Sequence, residues 1–182
     1  MKYDGHSLKY AILGLLSRQS LTGYDISREF EKNINKFWTA KHSQIYPELK
    51  KLLEQELVTC EIQISGEILE KKVYTITDKG RDVFIQWLKT DEKIENPPKD
   101  VFRLRTYFSD ILETEVKIQL LASQISQHKE RLEHLEQKYQ KYSEPPHKSS
   151  PLAGDYLLLD NAIRRERAQI EWLEDCVRYY SS

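Results

Sequence analysis

The chain is short of the residues that most often announce chemistry. Its two cysteines, Cys60 and Cys176, stand far apart and in no CxxC or Cys/His spacing, which predicts neither a disulfide framework nor a metal site. The five histidines, at positions 6, 42, 128, 134 and 147, form no HExxH or HxxxH pair, and there is no glycine-rich phosphate loop. A nucleophile–base pair or a ligand set at workable spacing is therefore missing, and the expectation is a protein that is not an enzyme and carries no cofactor. Six glycines and six prolines in 182 residues are few, which favours helices over a sandwich or a disordered tail. No run of about 18 apolar residues exists to cross a membrane. The start Met-Lys-Tyr-Asp-Gly-His lacks the apolar core of a secretion signal, so a cytoplasmic location is expected. Excess charge is missing too, at a formal net −1. Charge has to be read locally.

Locally it is uneven. Between Lys32 and Lys51 five lysines and His42 stand against one acid, Glu48, a basic segment in a neutral chain. Within it, Ser43–Glu56 reads as a helix capped by Ser43, with Ile45, Leu49, Leu52 and Leu53 on one side and Gln44, Tyr46, Lys50 and Lys51 on the other. Pro47 is expected near its first turn, where backbone donors are unpaired anyway. Two shorter helices are predicted upstream. Leu8, Ile12, Leu15 and Leu16 mark the first, and Thr22 caps the second, from Gly23 to about Ile34, with Tyr24, Ile26, Phe30 and Ile34 as its apolar positions. Downstream, Thr59–Ile64 and Glu70–Ile76 alternate with period two about a turn at Ser65-Gly66, with Cys60, Ile62 and Ile64 inward. Val83, Phe84, Trp87 and Leu88 then form the apolar side of another helix. A helix followed by a two-stranded ribbon is the layout of a winged helix-turn-helix.

The second half reads as all helix. A short aromatic helix over Asp100–Ser109 precedes a seam of Ile118, Leu121, Ile125, His128, Leu132, Leu135, Tyr139 and Tyr142, at alternating spacings of three and four. A second seam, Tyr156, Leu159, Ile163, Glu166, Ile170, Leu173, Val177 and Tyr180, repeats the alternation beyond a proline-rich turn. Two such helices make an antiparallel hairpin, each about 40 Å long at about 1.5 Å per residue. A lone hairpin cannot bury both faces, so a second copy is the expected partner. Each seam carries one polar residue, His128 or Glu166; the pair either meets across the hairpin or points outward on a slight phase drift. The fold class expected is mostly α (α+β): a winged-helix domain over 1–90, a linker over 91–99 and a helical dimerisation arm over 100–182.

Four stretches carry a family resemblance. Leu8-Lys-Tyr-Ala-Ile-Leu-Gly-Leu-Leu16, Thr22-Gly-Tyr-Asp-Ile26, Phe37-Trp38 with Ala40-Lys-His-Ser-Gln-Ile-Tyr-Pro-Glu-Leu49, and Glu70-Lys-Lys-Val-Tyr-Thr-Ile-Thr-Asp-Lys-Gly80 together resemble the PadR family of bacterial transcriptional regulators. The length and the paired helices resemble its larger subgroup. The resemblance implies a homodimer that presents two winged helices to a palindromic operator on duplex DNA and is released by a small ligand.

Base-edge reading needs donors and acceptors on the N-terminal half of a recognition helix. Ser43, Gln44 and Tyr46 are the candidates there, with Lys41, His42 and Lys50 suited to phosphates. The alternative for Tyr46 is packing back on its own domain. Thr22 and Tyr24 open the second helix, whose positive end suits a phosphate, and Thr22 serves equally as a plain cap. Lys71 and Lys72 flank the wing turn and suit the minor groove, or are a solvated strand edge. Aromatics of both halves suit a planar ligand, with Tyr10, Trp38, Phe102 and Arg105 as effector candidates and Arg103 or Arg105 as carboxylate partner. Ordinary core packing is the rival reading for each ring. A phenolic acid as that effector is implied by the resemblance alone. A winged helix that binds protein instead of DNA stays open as the alternative function.

Overall fold

In the computed structural model the first helix, α1 (Ser7–Leu16), is buried along Leu8, Ile12, Leu13 and Leu16. Leu13, not Leu15, completes that stripe. The structure describes residues 7–34, 38, 42–65, 69–93 and 99–182, in two units, Met1–Glu95 and Asn96–Ser182. In the first unit a two-residue strand β1 (Leu21–Thr22) leads straight into α2 (Gly23–Glu29), which runs on as a π-helical turn over Phe30–Ile34. Thr22 caps α2: its Oγ1 accepts from the Asp25 amide at 3.1 Å and donates to Asp25 Oδ2 at 2.6 Å. Ile26 and Phe30 point inward, but Tyr24 does not; it is 68 % exposed. At the N-terminal end of α2 no described element of this unit covers its side chain.

Helix α3 (His42–Glu54) starts one residue earlier than expected, so Ser43 lies inside its first turn and is not the cap. Pro47 consequently sits in the second turn, where its missing N–H leaves the Ser43 carbonyl without the usual donor. Ile45, Leu49 and Leu52 are buried as anticipated, each contributing about 1.5–3 kcal/mol. The helix stops in a Schellman turn. Leu57 N–H donates to the Leu52 carbonyl and Glu56 N–H to that of Leu53, both at 2.9 Å, with Glu56 left-handed at φ 59°.

Strands β2 (Val58–Ser65) and β3 (Leu69–Ile76) pair antiparallel in register, Val58 with Ile76 through Ser65 with Leu69. The sheet has a third strand beyond the two expected. β1 pairs with β3, Leu21 opposite Tyr74 and Thr22 opposite Val73. Tyr74 and Ile76 are buried, yet Ile62, expected inward, is 59 % exposed, because the hairpin runs out past the core and keeps its alternation where no described residue of the core packs on it. The Ile64 side chain lies outside the described residues. The turn at Ser65-Gly66 reaches beyond the described residues.

Helix α4 (Asp78–Leu88) is capped by Thr77, whose hydroxyl also donates to the Glu56 carbonyl at 2.8 Å. Gly80 is obligatory for space: a Cβ there would lie 2.0 Å from the Leu57 carbonyl oxygen. Trp87 stacks on Tyr10, rings 4.6 Å apart and 4° from parallel. Leu88, predicted on the apolar side, is 59 % exposed within this unit.

The second unit opens with α5 (Val101–Tyr107), capped by Asp100, and a 3-10 turn, Ser109–Ile111. Then α6 (Thr114–Tyr139) and α7 (Ala153–Ser181) form the long hairpin. Leu121, Ile163, Ile170 and Leu173 are buried along the seam. His128 and Glu166 do meet: Nδ1 and Oε2 are 2.5 Å apart, and Arg131 holds the other carboxylate oxygen at 3.2 Å. At the turn end, Tyr139 donates to the Tyr156 hydroxyl at 2.7 Å, while Lys141 and Tyr142 share Asp155 Oδ2 at 2.6 and 2.7 Å. The bond to Tyr156, helped by burial, pushes the Tyr139 phenol up to about 12.

Candidate nucleic-acid interface and effector concavity

Two concavities carry the predicted residues, one in each unit. In the first unit Thr22, Tyr24, Tyr46, Lys71 and Lys72 line one hollow of about 630 Å³ together with Gly23, Asp25 and Tyr74. The cap geometry at Thr22 starts α2 there, the pairing of Thr22 with Val73 brings Lys71 and Lys72 of β3 alongside, and α3 sends Tyr46 across. Tyr46 is 55 % exposed, yet its ring also lies over Gly23, so it both packs back and remains available. Lys71 and Lys72 are exposed. The Tyr74 phenol at the floor is held above its ordinary value, chiefly by burial and then by Cys60.

Other candidates stand outside this hollow. Ser43 and Gln44 are exposed on the first turn of α3, and Lys50 is exposed further along, with Glu54 4.0 Å away. Lys51, not singled out from the sequence, is tied at 3.2 Å to the buried Glu48. His42 begins α3, with its side chain outside the described residues, and Lys41 lies outside them altogether. Asp25 was missed by sequence reasoning. Its carboxylate sits at the opening of α2, held by Thr22 and by Arg28 at 3.8 Å, so the anion that the helix end would attract is already supplied by the chain. The Thr-x-x-Asp spacing, an N-cap followed three residues later by an acid, was the available signal.

The second hollow, about 470 Å³, lies between α5, the 3-10 turn and the α6–α7 ends. Phe102 and Arg105 both line it, with Phe108, Leu121, Lys117 and Tyr180. Phe102 packs edge-on against Trp172 at 6.5 Å, and Lys117 Nζ stands 5.2 Å over the Tyr180 ring. Apolar walls with two cations at the rim suit a flat organic acid. Tyr10 and Trp38 do not belong to it. Tyr10 is stacked on Trp87, and Trp38 lies against Phe30 at 5.9 Å, so both serve packing in the first unit.

A short helix, a polar-faced helix and an antiparallel ribbon, closed by a third strand, make the first unit a winged helix, the architecture of DNA-reading regulators. Comparison with known proteins agrees. Residues 12–86 match the model of the transcriptional regulator PadR-like family, and residues 98–181 match that of the virulence activator alpha C-terminal region. The negative transcriptional regulator PadR of Bacillus subtilis is 43 % identical over 170 residues, 92 % of this chain and 93 % of that protein. Its crystal structure in complex with operator DNA superposes with a TM-score of 0.89 at 42 % identity, covering 96 % of this chain and 99 % of that one. The complex of the same protein with p-coumaric acid gives 0.86 at 39 %, with the same coverage. This chain belongs to the PadR-like family of transcriptional regulators and is a regulator, not an enzyme. Among the described residues no helix is long and apolar enough to cross a membrane.

Proposed function

We propose that the chain is a homodimeric repressor that binds a palindromic operator through two winged helices and is released by a small aromatic acid. The observation that carries the reading is the shared hollow of Thr22, Tyr24, Tyr46, Lys71 and Lys72, beside the exposed Ser43 and Gln44. Its two lysines, with the Thr22 hydroxyl and the two phenols, suit one strand of a duplex laid between recognition helix and wing. Lys50 and the segment at Lys41 and His42 serve the flanking phosphates. Duplex DNA as partner supports a cytoplasmic location.

The dimer is supported by what the second unit leaves open. Val101 is 61 %, Leu157 62 % and Tyr179 75 % exposed, apolar surface outside the 470 Å³ hollow that a second copy would cover. The effector is assigned to the hollow with Phe102 and Arg105. The B. subtilis relative's complex with p-coumaric acid supports a phenolic acid as its class. The test is fluorescence anisotropy of a labelled duplex from upstream of the gene, with and without p-coumarate and ferulate. Nanomolar binding lost on adding either acid is the expected result. Binding indifferent to both acids removes the phenolic effector. Absence of sequence-selective binding would bring forward an interaction module whose winged helix meets protein.

A further inference from the structure

Gly23 opens α2 and is buried. A Cβ placed on it would stand 2.7 Å from Tyr46 Cε1, 3.2 Å from Cζ and 3.4 Å from Cδ1, and these are its three nearest atoms. All belong to one ring. The Gly23 backbone is not in the left-handed region, so glycine is required here for space and not for a backbone angle. The ring it accommodates comes from α3, remains 55 % exposed and reaches the hollow that Lys71 and Lys72 also line.

We propose that Gly23 is a positioning residue for DNA recognition, its missing side chain forming the seat that aims the Tyr46 ring between recognition helix and wing. The inference rests on the DNA-binding reading of that hollow. The physical reason is asymmetry in what can yield. Backbone cannot move out of the way of a Cβ cheaply, but the outer part of a half-exposed tyrosine can, by swinging to another rotamer. A side chain at position 23 therefore leaves the fold standing and displaces the one ring. Alanine is also the better helix former at this position.

The test is a double-mutant cycle on the full chain, read by anisotropy of the labelled upstream duplex and by thermal unfolding. Gly23→Ala is expected to bind at least tenfold more weakly than wild type while melting no lower. In the Tyr46→Ala background the same Gly23→Ala change is expected to cost no further affinity, because the ring it would displace is gone. NMR of a chain carrying ¹³C-labelled tyrosine supplies a readout that needs no DNA: the Tyr46 ring signal moves in Gly23→Ala. Equal binding by Gly23→Ala and wild type overturns the seat. So does an equal loss in both backgrounds, or a fall in melting temperature that accounts for the loss. Wild type that binds no duplex removes the DNA-binding reading itself, and that arm is scored before any variant.

Discussion

At the scale of the residue, Tyr46 and Gln44 present exposed hydrogen-bonding groups on α3, whereas Ile45 and Leu49 beside them are buried in the core. Gln44→Ala and Tyr46→Ala are each expected to weaken operator binding by about 1–3 kcal/mol, the usual worth of a base-reading side chain. Anisotropy titrations at fixed salt measure this. A stability effect belongs to Glu56, the one non-glycine described residue with a positive φ. Glu56→Gly relieves that strain at the end of α3 and is expected to stabilise by about 0.5–1 kcal/mol, offset slightly by losing the exposed pair with Lys79. Urea unfolding monitored by circular dichroism decides it. The inward set of α3 was legible from spacing alone. The exposure of Tyr24 and Ile62 was not, because periodicity reports which side a residue takes and not whether anything faces that side. Asp25 escaped for another reason: its sign contradicts a DNA surface, and the Thr-x-x-Asp spacing that marks it was read for Thr22 alone.

At the scale of the element, the two seams of the α6–α7 hairpin were readable, while spacing left open whether their polar residues pair or point outward. Two seams of equal spacing, each with one polar residue, put His128 and Glu166 in reach of each other, and they meet with Arg131. The pair lies between apolar layers, with Glu166 buried and His128 partly so. His128→Leu alone leaves that carboxylate short of a partner and is expected to destabilise by about 1–3 kcal/mol. The double change His128→Leu with Glu166→Leu is expected to recover this loss or exceed wild type, as apolar replacements of buried ion pairs often do. Chemical denaturation of the three proteins gives the comparison. The limits of each helix were less legible than its face. Ser43 looks like a cap but lies within α3, since the sequence offers no way to tell a capping serine from one in the first turn. The third strand, β1, is two residues long and too brief to show a period.

At the scale of the whole molecule, a neutral chain meets a polyanion through a few local cations, so salt should govern affinity more than any single contact. If each dimer neutralises five or six phosphates, affinity is expected to fall by about 10³ between 50 and 200 mM salt. Lys71→Ala and Lys72→Ala should each flatten the slope of that plot without changing sequence preference. A flat profile in the wild type would count against duplex DNA as the partner. Arg105→Ala should leave operator affinity as it is and abolish release by an aromatic acid, an effect visible in the same titration. Release of this kind is a two-state linkage, and the ligand shifts binding by no more than its preference for one shape over the other.

The His128–Glu166 layer also sets a rule for how this arm can change length. A seam at alternating spacings of three and four repeats every seven residues, and the polar pair ties one repeat of α6 to one repeat of α7. Insertion of a single residue on either side of the pair rotates everything beyond it by about 100°, while seven residues added to both helices preserve every layer. The length of the arm is therefore quantised, and relatives with longer or shorter arms should differ by whole heptads in matched pairs.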